Sequence, residues 1–568
     1  MTPRVWAPAA GRLELVVGER RMPMAGPDDR GWWTAKVVLG PGSRYRFSID
    51  GGPPRPDPRS PFQPEGVDGP SQVVDHSSYP WTDGGWQRPT LDGAVIYELH
   101  VGTFSAEGTF DGVIEHLDHL AGLGVTHVEL MPVNQFPGRW GWGYDGVDLY
   151  APHNGYGGPD GLKALVTRCH QRGLAVVVDV VYNHLGPAGN YLGQFGPYFT
   201  GRYATPWGQA VNLDGPDSDE VRDFFVDNAA MWLRDYHVDA LRLDAVHAIL
   251  DTSARHLLEE LADVCGPHGS LIAESDLNDP RVVRERERGG YGIDAQWSDD
   301  FHHAVHAVLT GERDGYYADF GSMHHLAKAL RQSFVYDGDY APHRRRRHGR
   351  SPAGLPPGRF LAYAQTHDQV GNRARGERLS HLVDPGRLRA AAALVLCSPF
   401  VPMLFQGEEW GASTPFQYFT DHQDPELGRA VSEGRRREFS AFGWDPADLP
   451  DPQDPATFER SKLDWAELGK EPHGGLLDWH RRLIALRKEH RLHEGGFGGV
   501  DVHVDEEARW LVLDRGPVAL ALNVGDRPAD VPVGDGYAGD VALAWGEVDV
   551  TGPVARLGPD SVVIVTAE

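Results

Sequence analysis

Cysteine is nearly absent: Cys169, Cys265 and Cys397 are the only three in 568 residues, too few and too widely spaced for a disulfide framework or a paired-cysteine metal site. A reducing cytoplasm is the expected compartment. Long apolar runs are missing too. The most apolar stretch, residues 390–405, is broken by Pro399 and Pro402, and the opening Met1-Thr2-Pro3-Arg4-Val5-Trp6 lacks the extended apolar core of a secretion signal. No membrane segment is expected. Positive charge is scarce: 54 Lys plus Arg stand against 81 Asp plus Glu, a formal charge of −27 that repels phosphate backbones and anionic membrane surfaces. Nucleic acid is therefore not an expected partner. The one basic run, Arg344-Arg345-Arg346-Arg347-His348, has no interleaved aromatics and reads as a solvated loop. Internal repeats and low-complexity segments are absent.

Hydrophobic residues at 40% and charged residues at 24% are globular proportions, sufficient for a large core, and the length requires two or three domains. Residues 1–85 carry short alternating runs such as Leu13-Glu14-Leu15-Val16-Val17 and Tyr45-Arg46-Phe47-Ser48-Ile49 between Gly, Pro and Asp clusters. They read as a β-sandwich of the carbohydrate-binding kind. Residues 51–70 and 81–89 read as loop and linker. Residues 90–490 alternate short apolar strands with amphipathic helices, the pattern of parallel βαβ units, with loop insertions over 413–468 and a helix over 475–490. Strand-like runs return over 495–568, as in Val518-Ala519-Leu520-Ala521-Leu522, and predict a C-terminal antiparallel β domain.

Eight strands can be counted in the central region: 95–99, 127–130, 175–181, 240–243, 270–273, 295–297, 360–365 and 401–405. Helical spacing separates them, with Val113, Leu117, Leu120 and Gly124 after the first, and Val221, Phe224, Phe225, Asn228, Met231 and Trp232 after the third. Eight such units predict an α/β fold, a closed (β/α)8 TIM barrel flanked by the two β domains.

In such a barrel the chemistry sits where strands end and βα loops begin. Four of those ends carry Asp179, Asp244, Glu274 and Asp368. Grouping carboxylates in a dry cleft is costly unless they are paired or used, because like charges raise each other's pKa. Glycoside cleavage uses such a group: one carboxylate attacks or stabilises an oxocarbenium-like centre, and one carboxylic acid protonates the leaving oxygen. Arg242 precedes Asp244 by two residues, so strand alternation puts both on one side, where a cation keeps Asp244 ionised. The competing reading is a set of carboxylates merely paired with Arg or His.

The segments Asp179-Val180-Val181-Tyr182-Asn183-His184, Ala240-Leu241-Arg242-Leu243-Asp244-Ala245-Val246-His247, Ile272-Ala273-Glu274-Ser275 and Thr366-His367-Asp368 resemble the four ordered motifs of the α-amylase family. One alone is weak; four in order at strand ends are specific. The resemblance implies Asp244 as nucleophile, Glu274 as general acid/base, and Asp368 as a third carboxylate that holds the sugar ring distorted. It also implies that Tyr144, His184, Arg242 and His367 line the subsite of the attacked glucose. His247, Gln369 and Asn372, from the same motif regions, complete the expected contacts. Asp179 is expected either to touch substrate or to partner Arg242. Asn183 resembles a calcium ligand of some amylases, but the segment from it to Val221 is short, and neither a metal nor a cofactor is expected.

The segment before the barrel resembles the module shared by branching, debranching and trehalose-releasing members. Residues 274–280, 297–303, 367–378 and 434–439 resemble the trehalose-releasing members, which implies malto-oligosyltrehalose and related α-glucans as partners. The sequences after Glu274 and after His367-Asp368 differ from those expected of isoamylases and branching enzymes respectively. Asp299, Asp300, Phe301, His302 and His303 then become candidate contacts for the leaving trehalose; the alternative is a helix-capping Asp-Asp with histidines facing solvent. Trp140, Trp142, Tyr144 and Trp410 are candidates for stacking on glucose. The competing functions are branching or debranching activity and a non-catalytic glycan-binding barrel.

Overall fold

Eight parallel strands close on themselves in the computed structural model, which describes residues 1–440, 449–537 and 540–567. They are β1 (Ile96–Leu99), β2 (His127–Leu130), β3 (Ala175–Val180), β4 (Ala240–Leu243), β5 (Ser270–Ala273), β6 (Ala295–Trp297), β7 (Phe360–Ala362) and β8 (Val401–Phe405). Each pairs with the next, and β8 returns to β1 with Met403–Phe405 beside Ile96–Glu98. Both faces of this sheet are covered, so most strands read as apolar runs instead of alternating. Inside the barrel Ile96, Val177, Ala240, Ile272, Trp297, Leu361 and Met403 form one cluster, with Tyr363 just beyond β7.

The seventh strand, expected over 360–365, is shorter than the sequence suggests. It ends at Ala362, whose neighbour on β8 is Pro402, a residue with no N–H for the ladder. Around the barrel, the helix Ser218–Asp235 buries Val221, Phe224, Phe225, Asn228, Met231 and Trp232 as its spacing predicts. The first intervening helix is divided into Phe110–Glu115 and Leu117–Leu123, and Gly124 at φ 97° ends it. Within the late loops the chain forms a 16-residue helix, Pro425–Ser440, longer than the short helices expected there.

The N-terminal region has a two-stranded sheet, Arg4–Trp6 with Trp32–Thr34, and a four-stranded one ordered Arg20–Pro23, Leu13–Val17, Arg44–Ile49 and Ser71–Gln72. It meets the barrel through aromatic edges, Trp6 on Tyr198 at 5.2 Å and Phe47 on Phe195 at 6.4 Å, and through Arg59 with Asp227 at 2.6 Å. Toward the C-terminus a five-stranded antiparallel sheet and a three-stranded one enclose a second core around Val512, Val531, Leu557 and Val563. Among the described residues no helix is long and apolar enough to cross a membrane.

The linker after the N-terminal sheets clasps the strand-start end of the barrel. Asp83 accepts from His170 at 3.0 Å and His237 at 2.8 Å, while Trp86 donates to Asp239 at 2.7 Å. Asp239, just before β4, also accepts from the Val176 amide at 2.8 Å and meets the second His170 nitrogen at 3.0 Å. Asp239→Ala leaves these buried donors unmatched and is expected to destabilise the barrel by about 3 kcal/mol, read as an earlier midpoint of chemical unfolding. An unchanged midpoint would show that the clasp adds no net stability.

Candidate active site

Arg242, fully buried on β4, is the hub. Its Nη1 donates to Asp179 Oδ2 and Asp244 Oδ1, each at 2.8 Å, and its Nη2 to Glu274 Oε2 at 3.1 Å. The guanidinium carbon lies 4.4 Å from the ring centre of Trp297. The parallel ladder aligns these groups beyond the strands, with Asp244 N bonded to Val180 O and Glu274 N to Leu243 O. Beyond Asp244 the backbone turns through Ala245, a non-glycine residue at φ 39°, and that strained turn points its amide at Glu274 Oε2, 2.7 Å away.

The carboxylates differ in their surroundings. Asp244 accepts from Arg242 on one oxygen and from Asn183 Nδ2 on the other at 2.6 Å. Asn183, with the calcium-ligand resemblance, is thus a donor to Asp244, and among the described residues no group of three or more His, Cys, Asp or Glu is arranged to hold a metal ion. Burial lifts Glu274 to about 8; Arg242 opposes this, and Asp244, Asp368 and Asp299 reinforce it. Its hydrogen bonds from Arg242 and Ala245 both fall on Oε2, which leaves Oε1 for a proton. Burial also raises Asp179 to about 6 despite the opposing pull of Arg242.

A second network supports the first. The Tyr144 hydroxyl donates to Asp179 at 2.6 Å and lies 2.8 Å from His367 Nε2. Glu98, at the end of β1, accepts from the His367 amide at 3.0 Å and meets its Nδ1 at 2.5 Å. Burial works against charging His367, but Asp368 and Glu98 outweigh it and lift the imidazole to about 9. His367 Nε2 is 3.5 Å from Asp368 Oδ1, and the Asp368 side chain remains 40% exposed, open to a ligand. His184 lies flat on Trp207, with ring centres 4.4 Å apart, and bonds to Asn183 Oδ1 and the Tyr144 carbonyl. His247 is at the rim, 3.9 Å from Asp276. Asn372 reaches Asp368 at 3.4 Å, whereas Gln369 uses its carbonyl to cap its own helix at Thr366.

The segment 299–303 divides by helical geometry, because the helix Asp299–Thr310 begins there. Asp299, raised to about 7 by burial with further push from Asp276, Asp300 and Asp368, accepts from Tyr363 OH at 2.5 Å. His303, one turn on, stacks on Tyr316 and lines a cavity of about 270 Å³ with Asp276, Asp300, Asp319, Tyr336 and Arg344. Asp300 is on the same cavity wall, with its Oδ2 accepting from Asn278 and the amides of Val335 and Tyr336. Two other expectations need correction: Phe301 is wholly buried against Phe400, and His302 is wholly buried between the Ala364 carbonyl and the Tyr317 hydroxyl. The capping alternative fails as well, since Ser298 is the cap residue and the histidines are buried.

Trp410 is also corrected: it is 1% exposed and donates to Glu467, so it offers no face to a sugar. Trp142 is buried behind the site, edge-on to His367 at 5.5 Å. Trp140 is half-buried and parallel to Phe458. In the basic run, Arg344 is half-buried and pairs with Asp276 at 3.0 Å. Of the segment 434–439, Glu438 and Phe439 lie outside the residues whose side chains are described, while Arg435 donates to Asn372 Oδ1 at 3.1 Å. Sequence reasoning missed Glu98, Trp207, Trp297 and Tyr363. Glu98 ends the first strand just as Asp179, Asp244, Glu274 and Asp368 follow the third, fourth, fifth and seventh, so its place at a strand end is the signal that marks it.

Residues 77–195 match the model of the α-amylase catalytic domain, and residues 495–564 match a domain of unknown function, DUF3459. The chain is 54% identical over 557 residues to malto-oligosyltrehalose trehalohydrolase of Arthrobacter ramosus, covering 96% of each protein. It is 49% identical to the enzyme of the same name from Saccharolobus solfataricus, covering 87% of this chain and 86% of the relative. Among solved structures, a putative α-amylase from Salmonella typhimurium superposes with TM-score 0.91 at 39% identity, covering 100% of this chain and 97% of the other. A pullulanase from Anoxybacillus sp. LM18-11 complexed with maltotetraose, 19% identical, shares the fold with TM-score 0.73, covering 100% of this chain and 86% of the other.

Because Glu98 supplies part of the charge that lifts His367, Glu98→Gln is expected to move the imidazole pKa down from about 9. Titration of the labelled histidine by NMR reads this directly; an unmoved titration would exclude Glu98 as a source of the shift.

Proposed function

The chain belongs to the malto-oligosyltrehalose trehalohydrolase family, and on that premise we propose that Asp244, Glu274 and Asp368 carry out retaining hydrolysis of the α-1,4-glucosidic bond next to the terminal trehalose of malto-oligosyltrehalose. The observation that carries the reading is the guanidinium shared by Asp244 and Glu274, with Asp244 accepting on both of its oxygens and the Glu274 carboxyl lifted to about 8. Retaining pairs stand about 5–5.5 Å apart, whereas inverting pairs leave roughly 6.5–9.5 Å for a water. Two carboxylates bridged by one guanidinium suit the shorter spacing.

In the first step an Asp244 oxygen attacks C1 of the glucose beside the trehalose. The C1–O bond breaks, and the departing oxygen takes the proton of Glu274, so trehalose leaves neutral. In the second step Glu274, now a carboxylate, removes a proton from water as its oxygen bonds to C1 and the Asp244 ester bond breaks. Free malto-oligosaccharide is released and both carboxyls return to their starting states. Asp368 holds the ring distorted, as in the family. His367 and Arg242 present cationic donors around the same glucose, and Asp179 serves through Arg242 and Tyr144.

The leaving trehalose is assigned to the cavity walled by Asp276, His303, Tyr316 and Arg344. Trehalose has no reducing end and a bent linkage, so hydrogen bonds that maltose leaves unmade discriminate against uncapped chains; such losses reach several powers of ten when buried polar groups are left unpaired. The three cysteines are buried and unpaired, in keeping with a cytoplasmic setting.

With equal concentrations of capped and uncapped chains of matched length, the capped chain is expected to be cleaved faster, with free trehalose as product. Equal rates, or new α-1,6 branches, would reject this specificity. Asp244→Asn and Glu274→Gln should each lower kcat by about a hundredfold or more while leaving substrate binding largely in place. Because Glu274 acts in its protonated form, kcat should fall as pH rises through about 8. A flat alkaline profile would remove Glu274 from the acid role.

A further inference from the structure

The loop that walls the trehalose cavity is held from two sides, and one of the holds comes from a different strand. After the helix Asp299–Thr310 the chain turns at Gly311 and passes through one tight turn, Gly315–Tyr317, to the next helix at Met323. Tyr316 stacks on His303 with ring centres 4.9 Å apart and lines the cavity. Tyr317 stacks on His306 at 4.2 Å, with 13° between the planes, and its hydroxyl meets His302. Arg313 closes the loop on itself by donating to the carbonyls of Ala307, Glu312 and Gly321. Gly321, at φ 103°, leaves room for this, since a Cβ there would fall on the guanidinium.

The outer hold is Glu312. Arg373 grips it as a fork, donating from Nη1 to Oε2 at 2.8 Å and from Nη2 to Oε1 at 2.9 Å, and His306 Nε2 meets Oε2 at 2.7 Å. The arginine side chain is 17% exposed and the glutamate 31%, so the pair is partly withdrawn from water. A forked pair in that setting is stronger and more directional than an exposed one. The Glu312 carboxyl is held down to about 2, by the His306 hydrogen bond first and by Arg373, against the push of burial, so the fork is ionised at neutral pH. Arg373 belongs to the segment beyond β7: it follows the helix His367–Gly371, five residues after Asp368, and its amide bonds back to Val370. The fork thus ties the wall made by Tyr316 and His303 to the short helix that carries the third carboxylate. Neither Glu312 nor Arg373 is among the residues lining the cavity.

We propose that the Arg373–Glu312 fork is a positioning device for substrate choice: it fixes the Tyr316 wall against the Asp368 helix, so that a bound trehalose cap lines up with the bond to be broken. The proposal rests on the hydrolase reading for what the cavity takes. A misplacement of about 1 Å, even far from the chemistry, can cost about a hundredfold in rate. Only a substrate that makes the wall's contacts gains from the wall's placement. Loss of the fork therefore acts on capped chains more than on uncapped ones.

The experiment measures kcat/KM on trehalose-capped and uncapped chains of matched length. Glu312→Gln keeps the size of the side chain and removes the charge that Arg373 grips. It should lower kcat/KM for the capped chain by about tenfold and for the uncapped chain by less than about twofold, so that the ratio falls. Arg373→Lys keeps the charge and loses the fork, and its ratio should lie between those of the wild type and Glu312→Gln. A purely structural role would lower both substrates alike. Equal losses on the two substrates, or a ratio unchanged in both variants, overturns the proposal and leaves the hydrolase reading standing. Calorimetry with trehalose alone reads the wall without turnover: weaker binding by both variants supports the fork, and binding equal to that of the wild type rejects it. If the wild type cleaves capped chains no better than uncapped ones, the specificity reading fails, and the trehalose measurement then decides the fork by itself.

Discussion

A guanidinium withdrawn from water must be met by carboxylates, and Arg242 is met by three, from the ends of three adjacent strands. This one cation fixes the spacing of Asp179, Asp244 and Glu274 more tightly than backbone geometry could, because a side chain at a strand end would otherwise choose among rotamers. It also divides the protons. Asp244 receives Arg242 and Asn183 on separate oxygens, whereas Glu274 shares a guanidinium that already serves two other acids, and burial keeps its proton on at neutral pH. Two carboxyl groups of similar chemistry are thereby set to different tasks by their neighbours.

The surrounding acids exceed the cations available to match them. Glu98 and Asp368 have His367, Asp179 has a share of Arg242, and Asp299, among the described residues, has the Tyr363 hydroxyl and no cation. Deeper in the barrel Glu129 stands beside Glu98 across β1 and β2, and burial pushes its carboxyl far up, with Glu98 adding to the effect. An excess of buried acid has a chemical consequence: protons are retained at neutral pH on the groups with fewest donors. His367 is charged for the complementary reason, being placed where two carboxylates converge.

The barrel mouth is built from parts with separate origins. The strands supply the acids, and the helix after β6 supplies Asp299 and His303 from one of its faces. The N-terminal β region supplies Phe62–Asp68, far from the acids in sequence, as one wall of a cleft that Trp140 and Phe458 also line. The linker clasp at Asp83, Trp86 and Asp239 sits at the opposite end of the barrel, consistent with a division between a face for stability and a face for chemistry.

By itself the sequence determined the barrel, because eight apolar runs separated by helical periodicity have few other ways to bury themselves. It also determined the order of Asp179, Asp244, Glu274 and Asp368 at strand ends, since a strand end is a local property. Tertiary structure decided what each residue faces. Phe301 and His302 sit beside Asp299 in sequence yet point into the core, because a helix turns successive side chains by about 100° and only the packed neighbours say which side is open. Trp410 was a plausible sugar platform until Glu467 and the surrounding core enclosed it. Glu98 meets His367 across 269 residues, and the Trp140 cleft closes only when the N-terminal loop meets the barrel. Periodicity records which residues share a face of one element; charge state and access depend on atoms brought together from distant parts of the chain, and only the folded packing brings them there.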